Sequence, residues 1–271
     1  MTIKTENMNK RKQKMYQIDA FANAVFEGNP AAVCILDNWL DAGPMQRIAA
    51  ENNLAETAFA VKRAADYEIR WFTPTTEVAL CGHATLATAY VLFHYYNYQN
   101  DKLPFYSQQS GLLSVTKNKD MLTLDFPKDI VKKVPAPPGI IDAFHKKPLE
   151  VYKGKTDYLL LYETQKDIEA CDPNLYILKK SDARGVIITA VGDEVDFVSR
   201  FFAPGSGVDE DPVTGSAHTT LTPFWSQRLG KTTLRAQQLS QRKGELLCEL
   251  AGERVKISGK AVPYLTGEIY I

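Results

Sequence analysis

This chain has no surplus of either charge: lysine plus arginine and aspartate plus glutamate number 32 each, so the formal charge at pH 7 is zero. Nor does it carry a basic stripe interleaved with aromatics, so nucleic acid is not an expected partner. Its most apolar stretch, between Leu80 and Tyr96, is shorter than the roughly 20 residues a helix needs to span a bilayer, so no membrane partner is expected either. Cysteine is scarce. Cys34, Cys81, Cys171 and Cys248 stand singly, without a CxxC pair and without an apolar secretory segment ahead of them. That usage points to a cytoplasmic location and to buried thiols, and argues against a cysteine-based metal site. Also missing are GxGxxG after a strand, GxxxxGKT and the GxSxG elbow, which removes the commonest nucleotide and serine-hydrolase signatures.

What remains is a chain of 271 residues, 45% hydrophobic, enough for one large core or two ordinary ones. Its organising stretch is LCGHATLATAYVLFHYY, Leu80 to Tyr96, where a Cys-Gly-His-Ala-Thr turn runs into a helix. Leu86, Ala87, Ala89, Tyr90, Val91, Leu92 and Phe93 leave that helix no polar face, so it must be enclosed by other elements. RWFTPTTEV, from Arg70, alternates like a strand and stops at a Thr-Pro turn. Strand, polar loop and buried helix therefore follow one another. The free N–H groups and dipole of such a helix start suit a carboxylate or a developing negative charge. Gly82 permits close approach there, and His83 either donates to a ligand or serves as a cap.

The pattern returns in the second half. Asp66 to Pro74 read DYEIRWFTP and Asp196 to Pro204 read DFVSRFFAP, so Asp, aromatic, Arg, aromatic, Phe and Pro recur in register. Matching Gly82-His83-Ala84 to Gly215-Ser216-Ala217 then needs only three inserted loop residues. A duplicated unit with a polar turn at each helix start predicts two similar lobes that hold one small-molecule ligand in the cleft between them.

In chain order, residues 1–14 are polar and basic and read as a flexible extension, residues 15–127 as an N-terminal lobe, and residues 128–271 as a C-terminal lobe whose last strand returns to the first. GNPAAVCILD turns at Gly28-Asn29-Pro30 into an apolar strand, and Asn29 either reaches the cleft or satisfies its own backbone. Leu40 to Glu51 forms an amphipathic helix with Met45, Ile48 and Ala49 inward, stopped at Asn52-Asn53. In NLAETAFAV, Leu54, Ala58 and Phe59 mark a buried strand that carries the Glu56 carboxylate. Desolvation would lift its pKa toward neutrality, unless it faces water or pairs with an arginine such as Arg70. Asn97 to about Gln109 reads as a polar linker, and GLLSVTKNKDMLTLDFP as a hairpin. The Pro- and Lys-rich stretch from Pro127 to Pro148 separates the lobes, and the chain from Thr232 onward is strand after strand.

Taken together, GNPAAV, NLAETAF, RWFTPTTEVALCGHATLA, DEDPVTGSAH and SQRKGEL resemble the phenazine-biosynthesis PhzF-like family of the diaminopimelate-epimerase-like fold, over nearly the whole chain from Met15. The resemblance implies an α+β fold of two pseudo-symmetric lobes, each a curved, mostly antiparallel sheet or barrel around a central helix. It implies a homodimer and catalysis without metal or organic cofactor. Glu56 falls on the Glu of the family's N-L-x-E-T motif, which serves as general acid/base. His83, Asp211 and Ser216 match residues that line the site and contact or help protonate the substrate, and Gly82 and Gly215 match positions whose backbone N–H groups meet its acidic end. Thr214 is a further binding candidate, and His218 reads as a capping or packing residue.

Three positions depart from the family pattern. Ala55 stands where some members carry Ser, so the phenazine precursor is not assigned as substrate. Lys243 replaces the first Gly of the R-G-G turn, which predicts that this backbone no longer needs a positive φ. Cys81 occupies the place of a catalytic thiol in cysteine-type epimerases, but no second Cys lies near Asp211 to Ser216. The expectation is a cofactor-independent isomerase of a small carboxylated metabolite, moving a proton between carbons through Glu56. The alternatives are a racemase using Cys81, a hydrolase built on Ser216, His83 and Asp211, and a non-catalytic binding protein.

Overall fold

The computed structural model describes residues 11–64 and 66–271. Strand β1 (Lys12–Ala20) opens with Gln13 buried between the exposed Lys12 and Lys14, and Tyr16 and Ile18 are buried further along. Lys12 pairs with Tyr270, Gln13 with Ile269 and Lys14 with Glu268, and the Gln13 amide donates to the Ile35 carbonyl at 3.0 Å. The flexible extension expected over 1–14 is corrected at these three residues, which a ladder on one edge and a buried glutamine hold in place; residues 1–10 lie outside the described residues.

Strand β2 (Asn29–Leu36) lies antiparallel to β1. Helix α1 (Ala42–Asn52) then crosses over, burying Met45, Ile48 and Ala49 and ending at Asn53 in the left-handed region. Strand β3 (Glu56–Arg63) runs parallel to β2, β4 (Asp66–Phe72) antiparallel to β3, and the short β5 (Glu77–Val78) folds back on β4. Helix α2 (Gly82–Tyr95) follows. Strand β6 (Lys102–Ser107) then joins β4 in parallel, and β7 (Gly111–Asn118) and β8 (Met121–Pro127) extend the sheet as a meander. The linker expected over 97–109 is therefore corrected. Leu103, Phe105 and Ser107 are buried while Lys102 and Tyr106 face out, so half of the segment's polarity is the solvent side of a strand.

The second half repeats this plan. After β9 (Lys132–Lys133) and one turn of helix α3 (Pro138–Ile141) come β10 (Glu150–Lys153) and β11 (Tyr158–Leu161) as an antiparallel pair. Short helices α4 (Gln165–Glu169) and α5 (Leu175–Lys180) stand where α1 stood. Then β12 (Val186–Val191) pairs parallel to β11, and β13 (Phe197–Ala203) antiparallel to β12, with β14 (Val208–Glu210) folded back on β13. Helix α6 (Gly215–Leu229) leads to β15 (Thr233–Gln238), which lies parallel to β13 as β6 does to β4. Strands β16 (Gly244–Ala251) and β17 (Arg254–Gly259) complete the meander. The recurring Asp-aromatic-Arg motif thus forms β4 and β13, equivalent strands of an α+β fold with two pseudo-symmetric units.

The units are laced together by reciprocal pairing. Strand β8 pairs antiparallel with β17. The short β9, which follows β8, pairs with β10, while β18 (Ala261–Tyr270), which follows β17, returns to β1.

Helix α2 is apolar nearly all round because the sheets leave it little water, whereas α6 buries His218, Thr220, Thr222 and Ser226 among its apolar residues. In α2 every residue from His83 to Ala89 is buried, as are Val91, Leu92 and Phe93. Helix α6 contains Pro223, which has no N–H for the Thr219 carbonyl; the Asp129 N–H fills that place at 3.1 Å. The two helices meet at their N-termini.

Candidate active site

Asn29 enters through a strained turn. Gly28 has φ +65, and a Cβ there would lie 2.2 Å from the Ala20 carbonyl oxygen, so only glycine fits. The second half fixes this turn: the Gly28 N–H donates to Lys243 O at 2.7 Å, and Arg242 Nε donates to Gly28 O at 2.9 Å. Arg242 also pairs with the buried Asp19 at 2.9 Å. Lys243 adopts φ 55, so the expectation that this backbone had lost its positive φ is corrected. Lys243 closes a tight turn, its N–H donating to Ser240 O at 3.1 Å while its own carbonyl accepts from Gly28.

Asn29 is fully buried, and its Nδ2 lies 2.7 Å from Asp211 Oδ1, 2.9 Å from Val213 O and 3.2 Å from His83 Nδ1. Two obligate acceptors on that nitrogen fix the amide orientation. His83 Nδ1, facing this amide and the Cys81 thiol at 3.5 Å, is the ring's acceptor, which leaves the proton on Nε2. Burial pushes the His83 pKa down to about 3, so the imidazole is neutral.

Glu56, first residue of β3, places Oε2 at 3.3 Å from His83 Nε2, with its side chain 16% exposed. The neutral ring makes this no ion pair. The approach also misses hydrogen-bond geometry, since Nε2 is buried without a partner. Burial first, and then the charge of Asp211, raise the Glu56 carboxyl to about 8, with the Cys81 thiol acting weakly in the other direction. Arg70 does not neutralise it: that guanidinium binds Glu77 through two 2.7 Å hydrogen bonds.

Asp211 follows β14. Burial raises its pKa to about 6, against hydrogen bonds from Thr214 and Asn29 that favour the charged form. Thr214 Oγ1 donates to Asp211 Oδ2 at 2.6 Å. Asp211 thus ionises before Glu56, and near neutral pH the cluster holds one carboxylate and one carboxylic acid, the division of labour acid/base chemistry needs.

Cys81 is the N-cap of α2, and its counterpart in the repeat is Thr214, the N-cap of α6. Burial drives the Cys81 thiol well above its ordinary pKa. The ligand atoms of Glu56, Cys81 and His83 lie within 4.8 Å of one another, a spacing a divalent ion could bridge. The raised pKa values of Glu56 and Cys81 oppose such binding, since a metal needs both groups deprotonated.

Of the residues picked out in the sequence, Glu56, His83, Asp211, Thr214, Gly82 and Gly215 come together where the helices meet. Ser216 is exposed, and among the described residues its hydroxyl bonds neither His83 nor Asp211. His218 is buried, with Nδ1 2.8 Å from Thr214 O, a role inside the helix. Two site residues went unassigned. Asn29 was left open because a turn asparagine has an equally good local use. Gln238 carried no signal, since its partners lie on a distant loop. Beside the cluster opens a cavity of about 400 Å³, lined by Asn29, Leu54, Ala55 and Thr75 from the first half and by Val208 and Pro212 from the second.

Comparison with known proteins accords with this geometry. A family profile described as "Phenazine biosynthesis-like protein" matches residues 18–267. An uncharacterized isomerase from Pseudomonas aeruginosa is 51% identical over 257 residues, covering 95% of this chain and 98% of its own. A phenazine biosynthesis-like domain-containing protein of Mus musculus is 39% identical over 289 residues, covering 95% and 99%. The crystal structure of a PhzF family protein from Enterococcus faecalis superposes with a TM-score of 0.93 at 48% identity, over 96% of this chain and 100% of that one. On these matches, which run over nearly the whole chain, it belongs to the phenazine biosynthesis-like, or PhzF-like, family.

Proposed function

We propose that this chain, an isomerase by family, moves a proton between two carbons of a small carboxylated metabolite without help from a metal or organic cofactor. The observation that carries the reading is the Glu56 carboxyl, raised to about 8 beside a neutral His83 and a charged Asp211. Near neutral pH the ionised minority of Glu56 takes a proton from one carbon, and the carboxylic acid so formed returns it to another. The adjoining N-termini of α2 and α6, with Gly82 and Gly215 as their first residues, favour the negative charge of the substrate and of its transition state. His83 Nε2–H supplies a neutral donor. Thr214 and Asp211 position the polar end of the substrate.

A dihydro-aromatic acid or an amino acid fits these demands. The purified protein, incubated with a panel of both in deuterated water, should transfer solvent deuterium to carbon in at least one and yield its isomer. Neither exchange nor isomerisation in any member of the panel overturns the reading. A thiol racemase is disfavoured because the residue opposite Cys81 in the repeat is Thr214, and a serine hydrolase because the Ser216 hydroxyl stands apart from His83. A homodimer belongs to the same proposal: among the described residues β18 pairs only with β1, leaving an open edge that carries exposed Tyr264 and Leu265. Light scattering at micromolar concentration tests it, and a monomer would remove the dimer alone.

A further inference from the structure

We propose that Gln238 is a positioning residue that keeps Asp211 ionised by committing the Thr214 hydroxyl proton to it. Gln238 is fully buried at the end of β15. Its Oε1 accepts the Thr214 N–H at 2.9 Å, which fixes the amide orientation, and its Nε2 donates to Asp211 O at 2.7 Å and to Thr214 Oγ1 at 3.2 Å. A hydroxyl that receives an N–H on a lone pair keeps its own hydrogen for another acceptor. For Thr214 that acceptor is Asp211 Oδ2, at 2.6 Å. Donation therefore runs in one direction, from Gln238 through Thr214 to the carboxylate, and each donor supports the charged form.

The repeat shows that this clamp is particular to the second half. Parallel pairing sets Tyr67 against Phe105 and Phe197 against Ala236, so the counterpart of Gln238 is Ser107, too short to span an equivalent gap. The long amide thus stands beside Asp211 and is absent from the equivalent place in the first half. Ser240 Oγ, donating to Pro212 O at 2.8 Å, holds the same loop from the next turn.

The inference rests on Asp211 being a working group of the proposed isomerase, yet its test reads titration rather than turnover, so the two can fail separately. Protein labelled with [13Cγ]aspartate is titrated by NMR, with Asp211→Asn identifying the resonance. The Asp211 midpoint in Gln238→Leu should rise by roughly half a pH unit or more relative to wild type. Thr214→Val, which preserves shape and leaves Gln238 in place, should raise it similarly, and the double variant should add nothing further. A role confined to packing predicts a lower melting temperature in Gln238→Leu with the midpoint unmoved, and that result overturns the proposal. Additive shifts in the double variant overturn the relay. Should Gln238→Leu fail to fold, Thr214→Val decides: an unmoved midpoint there is equally fatal.

Discussion

Gly82 and Gly215 face each other where the two helices meet: a Cβ on Gly82 would lie 3.6 Å from the Gly215 Cα, and one on Gly215 would lie 3.7 Å from the Gly82 Cα. Both distances are ordinary contacts, so the fold does not demand these glycines. The ligand does, if it approaches the backbone there. Gly82→Ala and Gly215→Ala should each keep or raise the melting temperature, because alanine loses less entropy in a helix. Each should weaken binding of small carboxylic acids by roughly tenfold or more. Calorimetry and ligand titration on the same samples check both halves, and unchanged affinity would refute the ligand's place at this junction.

Glu56→Gln retains shape but cannot accept a proton, so turnover should fall by roughly 100-fold or more while binding survives. Cys81→Ser should be mild, because the thiol it replaces is protonated at neutral pH; the reverse order would identify a thiol mechanism. Stability supplies an independent sign. The Glu56 pKa is raised in the fold from 4.5 to about 8, so its protonated form contributes stability that is complete below 4.5 and lost as pH rises through 8. The gain in melting temperature of Glu56→Gln over wild type should therefore be larger at pH 9 than at pH 5.

Asp211→Asn removes one of the two forces that hold Glu56 high, leaving burial. The Glu56 midpoint, read by [13Cδ]glutamate NMR, should fall below about 8 yet remain above its ordinary 4.5. No movement would show that the two carboxyls do not sense each other.

Lys243 is held at φ 55 by its turn, a conformation that favours glycine. Lys243→Gly should stabilise the protein by up to about 1 kcal/mol in urea denaturation. A loss instead would mean that the lysine side chain holds the turn.

Much of this was legible in the residues, and the limits follow from interaction range. The apolar circumference of α2, the stop at Asn53 and the β4/β13 repeat are local patterns, and each appears as expected. Glu56 could be placed beside a buried strand, but that it would lack Arg70 depended on Glu77 reaching that guanidinium first. Strand β6 was hidden because one face of it is wet. Asn29 and Gln238 do their work through partners distant in the chain, Asp211 for one and Thr214 for the other, and no periodicity records such pairs. The φ of Lys243 was misread because substitution of a glycine says only what the side chain is, not what the surrounding turn requires.

The reciprocal pairing of β9 with β10 and of β18 with β1 bears on how the chain reaches its native state. Strand β1 leads the described chain, yet one of its two edges waits for Ala261 to Tyr270, and the backbones of Arg11 and Ile271 bond in both directions at 2.9 Å. During synthesis the first unit can collapse around α2, but its ladder stays open until β18 has left the ribosome. Contacts of such sequence separation carry a large loop-closure cost before they repay it, which makes this closure a late and slow event. Until then an unpaired strand edge is presented to other nascent chains, and exposure to misassembly lasts until β18 docks on β1.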